Sequence, residues 1–476
     1  MSCQISCSGH EIKILSSESS PICREIYRVF GTIAPICEQQ WIEIKTRQDD
    51  GDETIVRVPL FSKNFKHLLR LKKSSVIELT YCNAKLKLKV LRESVNDAEY
   101  IVQPLYIVPF NHDGRFQTTF GDSKNSIEDA MMKIDLSMNL AQVVIGEKLK
   151  ESMKSERNFV QQKCEEFQSE ITVEEACKMS QWELYDFIAA ELVKKNDVRR
   201  KKFVGFLSCT NFKGLDANEE YSYANIKKKT SANPALGGGF LCLMGSGCFY
   251  SWPSHVDDVI PALSNKMYID ISQVLDDSNY RKTYGGCFAT SLGNLIHEMG
   301  HIFDLAHTET GLMGNDIDFI HRFFLAENLT EILPKRIVKS CQLTEQKETL
   351  KITSSKLTKL KKPGGEFLEK YREQKNNDMT FFEENCLITL FNHRWFTQTT
   401  QSSNQIQFID ETRTLFSSKS PLKLVEIREL SARNSMLVKF YSLMDKNVNE
   451  FAIPSSLKNV SLFAITSDGD IFKRDF

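Results

Sequence analysis

Nowhere in these 476 residues does an uninterrupted apolar stretch run long enough to cross a bilayer. The first ten residues, Met1 to His10, are polar where a secretory leader would need a charged start and an apolar core. Neither a membrane anchor nor secretion is expected. Charge of one sign is lacking too. The 61 Lys and Arg stand against 62 Asp and Glu, a net charge of −1, which argues against a nucleic-acid partner. The local basic runs Arg199-Arg200-Lys201-Lys202, Lys227-Lys228-Lys229 and Lys356 to Lys362 read as solvated faces. Cysteine pairing is absent as well: 13 cysteines make an odd number with no Cys-x-x-Cys. Cys242, Cys248 and Cys287 sit in apolar stretches where a thiol packs as a small hydrophobe, and Cys3 and Cys7 read as ordinary thiols in a loose terminus. A reducing compartment, cytoplasm or nucleus, fits that usage. The glycine-bracketed stretch Gly237 to Cys248 lacks the Lys-Ser/Thr ending of a phosphate loop, so nucleotide binding is not expected.

What is present concentrates in His297-Glu298-Met299-Gly300-His301-Ile302-Phe303-Asp304-Leu305-Ala306-His307. Phe288, Leu292, Leu295, Ile296, Met299 and Phe303 recur at helical spacing, with Gly285-Gly286 as a start boundary. On such a helix His297 and His301 leave the same face one turn apart and can hold one Zn²⁺. Catalytic zinc usually takes three protein ligands and keeps a fourth position for water or substrate. His307 is the third, provided the chain breaks and turns back after about Phe303, because a continuing helix would swing it round and carry it too far along the axis. Asp304 stands at that break, and after Gly, Asp and Asn best tolerate positive φ. Its carboxylate could also hydrogen-bond a ligand imidazole. Glu298 borders the metal and can take a proton from water there and pass it on.

This stretch resembles the metzincin metalloproteases, whose pattern is His-Glu-x-x-His-x-x-Gly-x-x-His followed by a methionine turn under the metal. The resemblance puts Asp304 where the family has glycine and assigns the turn to Met313, in Thr310-Gly311-Leu312-Met313-Gly314. It extends further. His112-Asp113-Gly114-Arg115-Phe116-Gln117, the helix start Ser126 to Leu136, the histidine helix and Asn392 to Phe396 together look like a eukaryotic zinc metallopeptidase family with members in fungi and animals. That likeness, over roughly Ile12 to Phe396, implies an intracellular peptidase acting on peptide or protein substrates. In a metzincin-like layout the strand before the active-site helix forms the sheet edge, to which an extended substrate can add. Leu241 to Phe249, with Leu241, Cys242, Leu243 and Met244, is the candidate for that edge; a plain core hairpin is the alternative.

The pattern predicts a multidomain α+β fold. After a disordered N-terminus (1–10), residues 11–99 alternate with period two, as in Ile42-Glu43-Ile44-Lys45 and Val76-Ile77-Glu78-Leu79, and predict a β-sandwich. Residues 100–398 mix strands (Leu105–Val108, Phe203–Leu207) with helices, one capped by Ser126 and running to about Met153, and form the metzincin-like catalytic domain. Further helices are expected at Glu327–Leu333, Glu366–Gln374 and about Phe382–Phe396. Residues 399–476 return to alternation and predict a small C-terminal β-module. His321, His393 and His255 are lone histidines, read as structural or exposed rather than as ligands.

The reading favoured here is a zinc-dependent peptidase with Glu298 as general base and acid. Others stay open: a buried helix whose histidines are satisfied by hydrogen bonds, a catalytically inactive zinc-binding protein that serves as an interaction module, and a peptidase acting on proteins bound to nucleic acid. Oligomeric state is left open.

Overall fold

The computed structural model describes residues 9–16, 21–93, 97–216, 218–327, 331, 333–334, 378–399, 405–431, 434–455 and 457–476. The expected helix Glu366–Gln374, most of Glu327–Leu333, the basic run at 356–362 and residues 1–8 of the expected disordered terminus lie outside them.

Seven strands come first: β1 (Glu11–Ile14), β2 (Ile26–Ala34), β3 (Trp41–Gln48), β4 (Glu53–Pro59), β5 (Asn64–Arg70), β6 (Ser75–Tyr81) and β7 (Ala84–Val90). They form two antiparallel sheets, β1-β2-β5 and β4-β3-β6-β7. The alternation read in the sequence is the alternation of burial, since Ile42, Ile44, Ile77 and Leu79 face inward and meet Tyr27, Val29 and Ile33 of the other sheet in one core.

The central sheet is built from β8 (Ile101–Pro109), β9 (Val160–Gln161), β10 (Glu165–Ser169), β11 (Lys201–Leu207), β14 (Ala235–Gly238) and β15 (Leu241–Gly245), with a small pair, β12 (Asn211–Phe212) and β13 (Thr230–Ser231), outside it. Its order is β10-β8-β11-β15-β14. All neighbours are parallel except the last, where β14 runs antiparallel to β15. Strands buried on both faces read as continuous apolar runs. Val204, Phe206, Cys242 and Met244 face the helix Tyr284–Ile302, while Phe203, Leu241 and Leu243 face the helix Gln181–Lys195. The proposed edge is therefore corrected. Leu241, Cys242, Leu243 and Met244 pair on both sides, with β11 and with β14, and the free edge is Ala235–Gly238. Lys202 is a second correction: it is no solvated face but buried, its Nζ donating to the Gly239 carbonyl at 2.8 Å.

The helix Ile127–Met153 carries the capping box expected of Ser126 and Asp129. It joins the N-terminal sheets to the centre through buried charge. Glu147 accepts from Arg28 Nε at 2.7 Å and from an Arg24 guanidinium nitrogen at 3.2 Å, and Arg24 Nε donates to Glu156 at 2.9 Å. After the helix Glu384–Asn392 come β16 (Ile406–Ile409), β17 (Thr414–Ser417), β18 (Leu422–Glu429), β19 (Leu437–Ser442), β20 (Glu450–Ala452), β21 (Val460–Thr466) and β22 (Ile471–Asp475), in sheets β16-β17-β20 and β19-β18-β21-β22. Leu424, Phe463 and Ile465 pack them onto Ile388 of that helix. No helix among the described residues is long and apolar enough to cross a membrane.

Removing the central acceptor of the buried cluster would leave the buried Arg28 guanidinium without its close carboxylate and Arg24 with Glu156 alone. The Glu147→Ala variant is expected to lose about 3 kcal/mol or more of stability, read as a lower denaturant midpoint of the full chain; an unchanged midpoint would contradict this linkage.

Candidate metal centre

The histidine helix begins at Tyr284, one residue before the glycine pair read as its start boundary. Thr283 caps it, and Gly285 lies in its first turn, where a Cβ would come within 2.5 Å of the Leu263 carbonyl. The helix runs to Ile302 and ends as a Schellman turn: Asp304 N–H donates to His301 O at 3.1 Å and Leu305 N–H to Gly300 O at 3.1 Å. Asp304 occupies the left-handed position of that turn, at φ +66. A non-glycine residue there costs roughly 1 kcal/mol, which its side-chain partners offset.

The reversal brings His307 back. Its Nε2 lies 3.1 Å from His301 Nε2, which in turn lies 3.2 Å from His297 Nε2. Each ring's other nitrogen meets a backbone carbonyl: Nδ1 of His297 donates to Leu312 O at 2.7 Å, that of His301 to Leu305 O at 2.9 Å, and that of His307 to Asn434 O at 3.2 Å. A carbonyl only accepts, so the proton sits on Nδ1 in every ring and the Nε2 lone pairs face one another. Three converging lone pairs repel unless a cation lies between them. The edge of a zinc tetrahedron with bonds near 2 Å is about 3.3 Å, so this donor set fits Zn²⁺. Burial and the neighbouring rings hold His301 well below the usual imidazole range, and burial lowers His307 as well, which keeps the rings neutral as ligation requires.

Glu298 Oε2 is buried with no hydrogen-bond partner. Burial pushes its carboxyl up to about 8, against a lowering backbone hydrogen bond from Gly237. The edge strand comes this close only because Gly237 has no side chain; a Cβ there would lie 2.0 Å from the Glu298 carbonyl. Met313 is fully buried with its sulfur packed on the helix, 2.3 Å from where a Cβ on Gly300 would stand. Two cavities flank the histidines. One of about 360 Å³ is lined by His301, Gly237–Gly239 and Asn434, the other, of about 550 Å³, by His297, Glu298, His307 and Tyr221.

A model of the family described as "Putative peptidase family" matches residues 14–399. The chain belongs to this metallopeptidase family. A Saccharomyces cerevisiae protein described as a putative zinc metalloproteinase is 33% identical over 104 residues, 21% of this chain and 15% of that protein. One from Schizosaccharomyces pombe with the same description is 21% identical over 335 residues, 65% of this chain and 52% of that one. The chain thus spans about half or less of the curated relatives it matches. A solved structure, wild-type OgpA from Akkermansia muciniphila, is similar at a TM-score of 0.41 and 12% identity, covering 81% of this chain and 94% of that chain.

In this family member the C-terminal strands complete the centre, which sequence reasoning missed. Asn434 and Ser435 lie between β18 and β19; His307 N–H donates to Ser435 O at 3.0 Å, and Leu437 N–H returns to His307 O at 2.9 Å. Arg428 donates to Asp304 O at 2.8 Å, and Lys473 of β22 pairs with the Asp304 carboxylate. His393, read as structural, donates from Nε2 to Asp304 at 3.2 Å while its Nδ1 accepts from Trp395 N–H at 3.4 Å, so the Asp304 carboxylate meets this imidazole and not, as expected, one of His297, His301 and His307. Burial alone would raise the Asp304 carboxyl; Lys473, His393 and Lys202 hold it well below the usual range. His321 is buried beside Arg281, and His255 precedes a short 3-10 turn; neither joins the cluster. The local signal that could have exposed the clamp is Asp304 itself, a charged residue where a turn wants glycine.

Asp304→Ala keeps the ligands but removes what fixes the bend, and zinc affinity is expected to fall about 10–100-fold in chelator competition. Unchanged affinity would mean that the Schellman backbone suffices.

Proposed function

We propose that this chain is a zinc-dependent peptidase of metzincin-like design, holding one Zn²⁺ through His297, His301 and His307 over the apolar floor of Met313. The observation that carries the reading is the convergence of three Nε2 atoms, with Glu298 lining the same cavity as His297 and His307. Zinc in such a site supplies Lewis acidity toward a peptide carbonyl and toward water. The chain's own part is positional and protonic. Glu298 Oε2 takes a proton from the attacking water and delivers it to the leaving amide nitrogen. The free edge of β14 offers main-chain groups to an extended peptide, so a peptide or protein substrate would lie along Ala235–Gly238 with its scissile bond between the two cavities.

Glu298→Gln is expected to lower cleavage of a peptide library by roughly 10²–10⁴-fold with zinc content unchanged. Comparable cleavage by the variant would remove Glu298 from the chemistry. A zinc-loaded wild type that cleaves nothing would favour an inactive binding module. His307→Ala is expected to lose zinc in metal analysis, and full retention would remove His307 from the ligand set.

A further inference from the structure

One end of the N-terminal sheets holds a second cluster of soft donors. His10 directly precedes β1, Cys37 lies in the crossing from β2 to β3, and Cys82 is in the two-residue turn between β6 and β7. Donor atoms of the three lie within 4.8 Å of one another, with the two sulfurs 3.4 Å apart. Tyr81 frames them. Its hydroxyl accepts from Cys37 N–H at 3.0 Å and donates to Gln39 O at 2.9 Å, and its ring meets His10 edge-on at 5.0 Å.

Two details point to a ligand. His10 Nδ1–H donates to the Pro35 carbonyl at 2.6 Å, which leaves the lone pair on Nε2, a buried atom with no hydrogen-bond partner. The same device, a carbonyl on Nδ1, aims the three histidines of the main centre. Cys82 stands at φ +49 in a tight hairpin turn, where Asn, Asp or Gly is the less strained choice. That conformation is what puts its sulfur beside Cys37.

We propose that His10, Cys37 and Cys82 form a second metal site that takes Zn²⁺. Two thiolates and an imidazole suit zinc and disfavour the oxygen-seeking Ca²⁺ and Mg²⁺. Each thiol gives its proton to solvent as the ion binds, and no electron is transferred. Three protein donors leave one tetrahedral corner for water. The ion would clip the first sheet, entered at His10 and left before Cys37, to the second sheet at the Cys82 turn. It requires nothing of the histidine helix.

Cobalt replacing zinc in the full, reduced chain separates the two sites, because only thiolate ligation gives a strong near-ultraviolet charge-transfer band. The band is expected in wild type, in a variant carrying both His297→Ala and His301→Ala, and not in Cys82→Ser. Zinc analysis should find two ions per wild-type chain and one in each variant. In wild type and in the His297→Ala/His301→Ala variant alike, alkylation of Cys37 and Cys82 should slow by about tenfold or more on adding zinc, and a chelator should reverse it. A folded wild type with no band, equal alkylation rates with and without zinc, or a Cys37–Cys82 disulfide in reducing buffer would each overturn the site.

Discussion

Three backbone carbonyls, those of Leu312, Leu305 and Asn434, decide where the protons of His297, His301 and His307 sit, and the rest of the centre depends on that choice. With Nδ1 committed to a carbonyl, each ring is fixed in rotation and in tautomer, and its only remaining donor is Nε2. The carbonyls come from three places: Leu312 in the 308–316 segment, Leu305 closing the Schellman turn, and Asn434 in the hairpin between β18 and β19. Holding all three at once asks for a folded scaffold on every side of the helix, which the central sheet, the 308–316 segment and the C-terminal strands provide.

Asp304 ties these parts together. Its backbone makes the left-handed bend that returns the chain to His307, its carbonyl accepts from Arg428, and its carboxylate gathers Lys473 and His393. A glycine at this position would make the bend at less cost and could not make the side-chain contacts. Aspartate in place of glycine trades local ease for a charged link between the helix end and a separate sheet. The carboxylate stays ionised because two cations and a hydrogen bond outweigh its burial.

Residues whose partners lie nearby in sequence were legible. The i, i+4 pairing of His297 and His301, the apolar stripe beneath them, the break at Asp304 and the alternation of β3 and β6 follow from local periodicity alone. The clamp was not. Asn434 and Lys473 stand 127 and 169 residues from the groups they hold, and a carbonyl contact leaves no trace in side-chain identity. The edge strand was misplaced for a different reason. Leu241 to Met244 is the most apolar run in the region, and apolarity on both faces marks an interior parallel strand. The true edge is short and glycine-rich because it presses its backbone on Glu298, so the weaker signal belonged to the more exposed strand.

The return of His307 to Asn434 also orders events in time. A growing polypeptide presents its third imidazole long before the hairpin between β18 and β19 exists, and until that hairpin folds into place the ring lacks the acceptor that selects its tautomer. The arrangement of the three rings is therefore coupled to the folding of a sheet that the chain reaches only more than a hundred residues later.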